Sequence, residues 1–168
     1  MKIKSILLLG SDSILGTALK SKLNLKYQIE LFELTHDEID RITPSQLQDQ
    51  IKKILPGLVI NVYSRGGGIG KNQRIPADLF MQNIMHDMHL LPSCHMAGVK
   101  KYINLLTPCI YHEEITVPFK KSALSQGSPA EPISYYAMTK KLTLVQANAF
   151  RKQYNFNSIN LIVTATYG

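Results

Sequence analysis

At 168 residues, with 45% hydrophobic and 18% charged side chains, the chain suits one domain with a sizeable core, and its normal globular composition argues against disorder. Its formal net charge of +7 is scattered in doublets such as Lys52-Lys53, Lys100-Lys101, Lys120-Lys121 and Lys140-Lys141, so no basic stripe marks a nucleic-acid surface, and an anionic nucleotide ligand accounts for the bias as well. Cys94 and Cys109 form no disulfide framework and read as reduced thiols, while the apolar run after Lys2 and Lys4 stops at Gly10 and Asp12, too soon for a secretory signal or a membrane span; a cytoplasmic protein without a membrane partner is expected.

The first predicted element is a strand, Ile6-Leu7-Leu8-Leu9, running straight into Gly10-Ser11-Asp12-Ser13-Ile14-Leu15-Gly16 and then an amphipathic stretch through Leu19 and Leu23. This is strand, tight turn, helix. Such a turn lets backbone approach a pyrophosphate and aims the free N–H groups of a helix N-terminus at it, although Ser13 stands where a G-x-x-G-x-x-G pattern has its middle glycine. Serine is small and can cap the helix; on these residues alone an ordinary strand–helix turn explains the pattern equally well. The candidate cofactor contacts here are Gly10, Ser13, Ile14, Leu15 and Gly16.

Tyr27 to Leu34 alternates as a second strand, and Thr43 caps a polar helix from Pro44 to Leu55. The β-branched run Leu58-Val59-Ile60-Asn61-Val62-Tyr63 predicts a buried third strand, followed by a glycine-rich loop over 66–70. A long helix is predicted from Pro76 to Met96, with Leu79, Phe80, Ile84, Met88 and Leu91 on or near one face. Tyr102 to Leu106 and Ser158 to Val163 are the fourth and fifth strands, separated by a loop from Thr107 to Ser134 and a helix carrying Tyr136. Alternating strands and helices define a doubly wound parallel α/β sheet, Rossmann-like, in one domain over 1–168, with ligands at the strand C-termini.

Tyr136-Ala137-Met138-Thr139-Lys140 puts a phenol and an ammonium on one helix face, where the cation can stabilise a phenolate for acid–base chemistry on a carbonyl. The spacing also arises by chance on exposed helices. His86, His89, Cys94 and His95 lie close in sequence, yet no metal-ligand spacing accompanies them; they read as helix-surface or interface residues, and no metal is expected.

Taken together, Gly67-Gly68-Ile69, Pro76-Ala77-Asp78-Leu79-Phe80 with Gln82-Asn83, Gly98-Val99-Lys100-Lys101, Cys109-Ile110-Tyr111, Glu131-Pro132, Tyr136-x-x-x-Lys140 and Tyr167-Gly168 occur in the order and spacing of a known family. The chain resembles the extended short-chain dehydrogenase/reductases that act on nucleotide sugars, most closely the GDP-L-fucose synthase branch. The resemblance implies epimerisation of a GDP-4-keto-6-deoxy sugar followed by hydride transfer from NADPH to its ketone. It makes Tyr136 the proton donor, Lys140 the holder of the nicotinamide ribose, Thr107 the stand-in for a catalytic serine and Cys109 the epimerisation acid/base. It also implies a homodimer through the helices 76–97 and 135–154.

Several positions depart from the family. Asp12 replaces a basic residue that greets an NADP 2′-phosphate, and so does His36 after the second strand; both work against NADPH. Glu33, about 17 positions beyond Gly16, is a candidate for the ribose hydroxyl of NAD(H). Val62-Tyr63-Ser64 replaces small residues, which sets Tyr63 against the cofactor. The sequence ends at Gly168, about halfway along the family pattern, so the C-terminal substrate domain and the histidine partner of Cys109 are expected to be absent and the chain incomplete as a catalyst. A truncated, non-catalytic fold kept for dimerisation or partner binding is the alternative.

Overall fold

The computed structural model describes residues 3–26, 28–164 and 166; Tyr27 and the Tyr167-Gly168 pair of the resemblance lie outside them. Five parallel strands, β1 (Ser5–Leu9), β2 (Glu30–Leu34), β3 (Leu58–Asn61), β4 (Lys101–Leu106) and β5 (Ser158–Ile162), form one sheet in the order β2-β1-β3-β4-β5. The order reverses between β1 and β3, and a crevice opens at such a switch point, beyond the strand C-termini.

Both faces of the sheet are apolar, as a doubly wound sheet requires. Leu7, Leu9, Val59 and Tyr102 point to one side and pack with Leu47 and Ile51 of α3 (Pro44–Ile54), Leu90, Leu91 and Cys94 of α5 (Pro76–Met96) and Ala147 of α6 (Ser134–Tyr154). Alternate residues Ile6, Leu8, Leu58 and Ile60 point to the other side, against Leu19 and Leu23 of α1 (Ile14–Lys26). The Asn61, Asn104 and Asn160 positions are in register across β3, β4 and β5, a polar row in an otherwise apolar sheet.

The predicted strands and long helices are present, with β2 starting at Glu30. Two short helices were not predicted. α2 (His36–Arg41) begins with a capping box: the Thr35 hydroxyl accepts from the Glu38 N–H, and the Glu38 carboxylate accepts from the Thr35 N–H at 2.7 Å. Part of the expected glycine loop is α4 (Gly68–Arg74), because only Gly66 and Gly67 stay outside the helix. Thr43 caps α3 as expected, reciprocally with Gln46.

Pro92 lies inside α5 and cannot donate to the Met88 carbonyl. Gln146 of α6 fills that position, its Nε2 donating to the Met88 oxygen at 2.8 Å. The proline thus creates an acceptor that ties the two longest helices together.

Candidate active site

The turn after β1 is built so tightly that its glycines are obligatory. Gly10 has φ +81°, and a Cβ there would lie 2.8 Å from the Tyr63 backbone nitrogen; a Cβ on Gly16 would lie 2.2 Å from the Gly10 carbonyl oxygen. Ser13 acts as the cap its chemistry allows, accepting from the Gly16 N–H at 3.0 Å and donating to the Gly10 carbonyl at 2.7 Å. The substituted glycine position therefore keeps the turn and occupies one of the donors at the helix N-terminus.

A cleft of about 310 Å³ opens where the strand order reverses. Ser13, Ile14 and Leu15 form one wall, Tyr63 and Ser64 follow β3, and Thr107, Tyr136 and Lys140 close the opposite side. Five of the predicted site residues do not line this cleft: Gly10 and Gly16 shape the turn, and Cys109, Glu33 and His36 lie off its wall. Cys109 is half-buried in the 3-10 turn Pro108–Ile110, its N–H donating to the Thr107 hydroxyl at 3.3 Å.

The Tyr136 hydroxyl is 2.9 Å from the Ser64 hydroxyl. Lys140, 2% exposed, places its ammonium 2.8 Å from an Asp87 oxygen, so the cation at the cleft is one half of a buried ion pair. The other Asp87 oxygen accepts from Asn61 Nδ2 at 3.2 Å; the same nitrogen reaches Asn104 at 3.0 Å, and Asn104 continues to Thr143 and Asn160, both at 3.4 Å. A continuous polar network therefore runs from the cleft beneath the strand ends, where each member is satisfied by another.

At the rim, the His36 backbone N–H donates to Asp12 Oδ1 at 2.9 Å, and the His36 Nδ1 lies 2.6 Å from the same oxygen. Burial pushes the Asp12 carboxyl upward, but these contacts outweigh it and hold the group below the ordinary aspartate range. Glu33 is 2.7 Å from the Lys20 ammonium on α1. Tyr63, expected to crowd a cofactor, is 3% exposed: its ring lies between His36 and His86, at 5.1 and 4.5 Å, and its hydroxyl donates to Asp40 at 2.6 Å. Desolvation and the Asp40 carboxylate push its phenol well above the ordinary range. Asp40 also pairs with Arg65, whose guanidinium reaches Asp37 at 3.4 Å.

The histidine-rich stretch of α5 corrects the surface assignment made from sequence. His86 and Cys94 are buried, His86 with Nε2 3.3 Å from Asn61, while His89 is exposed and His95 stacks on Tyr154 at 4.4 Å. The core face of α5 is set by Leu79, Asn83, His86, Asp87 and Leu90, not by Phe80, Ile84 and Met88. Among the described residues no three His, Cys, Asp or Glu side chains are grouped to hold a metal ion, and no helix is long and apolar enough to cross a membrane.

Sequence reasoning passed over Ser64 and Asp87. The signal for Asp87 was present: it lies eight positions beyond the buried Leu79 and four beyond the buried Asn83, on a face that also carries Leu90 and Leu91, and a carboxylate there requires a buried cation. Ser64 had no comparable signal, because its role depends on where the loop after β3 meets α6.

This fold and cleft are those of a dinucleotide-binding enzyme class, and the chain belongs to the NAD dependent epimerase/dehydratase family, whose model matches residues 6–168. Over 168 residues it is 30% identical to a protein of Arabidopsis thaliana named putative GDP-L-fucose synthase 2, covering 99% of this chain and 51% of that one. It is 25% identical to the GDP-L-fucose synthase of Escherichia coli K12, covering 100% of this chain and 52% of the relative. The chain spans about half the length of the curated relatives it matches. The same fold occurs in a GDP-mannoheptose C4 reductase from Campylobacter jejuni solved with NADP bound, with a TM-score of 0.93 at 23% identity over 100% of this chain and 54% of that one. It also occurs in a GDP-L-fucose synthetase from Naegleria fowleri bound to NADP, with a TM-score of 0.79 at 22% identity over 96% of this chain and 49% of that one.

Proposed function

We propose that this chain is the dinucleotide-binding part of an epimerase/reductase that acts on a GDP-linked keto sugar, with Tyr136 as its proton donor. The observation that carries the reading is the Ser64–Tyr136 hydroxyl pair at 2.9 Å in the cleft that Thr107 and Lys140 also line. The residues present fit a nicotinamide dinucleotide: the N-terminus of the 13-residue α1 opens on the cleft beside small Ser13, and hydroxyls stand opposite. When bound, that group supplies the hydride for reduction of a ketone.

The chain's own residues supply the rest. Tyr136 holds a proton at its Oη, and Ser64 orients that hydroxyl. Thr107 accepts the Cys109 N–H on its hydroxyl oxygen and retains a proton to donate to a substrate oxygen. Lys140 is fixed by Asp87 at the cleft floor, which presents the aliphatic stem and a held ammonium without a mobile side chain. Cys109, two residues beyond Thr107, is the candidate acid/base for the epimerisation.

The homologues named for GDP-sugar enzymes support the substrate class, and the exposed Met138, Leu142 and Val145 of α6 support a homodimer through α5 and α6. The test is to mix the chain with NADPH or NADH and a GDP-4-keto-6-deoxy sugar and follow nicotinamide fluorescence. Saturable dinucleotide binding by the unaltered chain supports the reading, and any cofactor consumption on adding the sugar should be lost in Tyr136→Phe while its dinucleotide binding is kept. Folded chain that binds neither dinucleotide moves the assignment to a non-catalytic module; the observation on that side is that Lys140 already has a full counter-charge in Asp87.

A further inference from the structure

We propose that Asp12, held in place by His36, is the carboxylate that receives the adenosine ribose and selects NAD(H) over NADP(H); this rests on the reading that the cleft takes a nicotinamide dinucleotide. In a Rossmann-like sheet the adenosine ribose lies near the end of β2, where a carboxylate accepts its 2′-hydroxyl. By spacing, Glu33 is the residue for that task, but Lys20 of α1 holds one of its two oxygens at 2.7 Å, which directs the carboxylate toward that helix. A carboxylate at this rim is Asp12, drawn across from the β1–α1 turn to the residue range just after β2 by two contacts from His36.

Both contacts fall on Oδ1, and the Asp12 side chain remains 43% exposed, which leaves Oδ2 to accept a hydroxyl proton. A 2′-phosphate at the same place would bring about −1.5 to −2 charge against a carboxylate and no proton for it to accept at full ionisation. Two cations near this end of the sheet are already in ion pairs: Lys20 with Glu33, and Arg65 with Asp37 and Asp40. His36 belongs to the same pair as Asp12, so it does not offer an independent positive site. The contrast is with structures of this fold that carry NADP, two of which are described above.

The test is to titrate the chain with NADH and, separately, NADPH, reading nicotinamide fluorescence, for the unaltered protein and for Asp12→Ser and Glu33→Gln. The expected result is NADH binding at least about tenfold more tightly, the worth of one charge-assisted hydrogen bond, with Asp12→Ser erasing the difference. NADPH binding as tightly as NADH overturns the proposal, and so does a preference that survives Asp12→Ser but disappears in Glu33→Gln. Binding of neither dinucleotide by natively folded protein overturns the dinucleotide reading and this proposal with it. Circular dichroism of each variant separates lost binding from lost fold, and the exposed position of Asp12 makes its replacement compatible with folding.

Discussion

The Lys140 ammonium lies 2.8 Å from Asp87 at 2% and 1% side-chain exposure, so the lysine of the Tyr-x-x-x-Lys pair is anchored to α5 as well as facing the cleft. A buried ion pair is a poor source of net stability, because desolvating two charges offsets most of their attraction. Removing one partner is another matter. Asp87→Ala leaves an uncompensated ammonium and an unsatisfied Asn61 donor, and is expected to lose about 3–5 kcal/mol of stability. Urea denaturation measures this, and the double variant Asp87→Leu with Lys140→Met should be clearly less destabilised than Asp87→Ala. Equal losses in the two would mean that the pair does not hold the helices as described.

The link between α5 and α6 through Pro92 gives a second expectation. Gln146 donates to the Met88 carbonyl that the proline cannot serve. Gln146→Leu should therefore cost about 1 kcal/mol, the worth of a hydrogen bond to a half-buried carbonyl. Adding Pro92→Ala restores a backbone donor for that carbonyl, so the double variant should recover most of the loss in the same denaturation experiment. A double variant no better than Gln146→Leu would exclude this account.

Much of this architecture is legible in sequence because local patterns and tertiary demands agree. The short apolar runs at 6–9, 58–61 and 102–106 have the length of strands rather than helices, and Thr43 with Gln46 announces α3. Thr35 with Glu38 announces α2 by the same logic, but six residues carry too little periodicity to be read as a helix. The site divides similarly. Thr107, Tyr136 and Lys140 are found because each lies at a strand end or on one helix face, and all three reach the cleft. Ser64, Asp87 and the Asp12–His36 contact join residues distant in sequence, and the partner of a side chain follows from the packing of whole elements. Glu33 shows the limit: its spacing suits a ribose, and Lys20 of the neighbouring helix takes it.

The β1–α1 turn should tolerate change at one position and refuse it at another. Gly16→Ala puts a methyl 2.2 Å from the Gly10 carbonyl, a rigid backbone atom, so the helix must shift and about 1–3 kcal/mol should be lost. Ser13→Gly restores the full glycine pattern and frees the Gly16 N–H, at an expected cost of only a few tenths of a kcal/mol, whereas Ser13→Ala should cost about 1 kcal/mol as a lost cap. Thermal melts of the three variants order them. Gly16→Ala melting with the unaltered protein would show that the turn is looser than these distances require.

Stability should also respond to pH through His86. Burial pushes its imidazole from 6.5 down to about 4, with Asp87 and Asp40 opposing that shift and Lys140 and His36 adding to it. Between pH 4 and 6.5 the unfolded chain binds a proton at this residue that the folded chain refuses, so stability rises with pH across that window and is lost as pH falls through it. The full difference is about 3 kcal/mol, reached near pH 4, below which both states are protonated and this contribution stops changing. The carboxyl groups of Asp12, Glu38 and Asp40, all held below their ordinary range, add their losses at more acid pH. Urea denaturation at pH 4.5 and pH 7 should show the slope in the unaltered chain and a much flatter one in His86→Leu. A slope that persists unchanged in that variant would assign the acid sensitivity to another group.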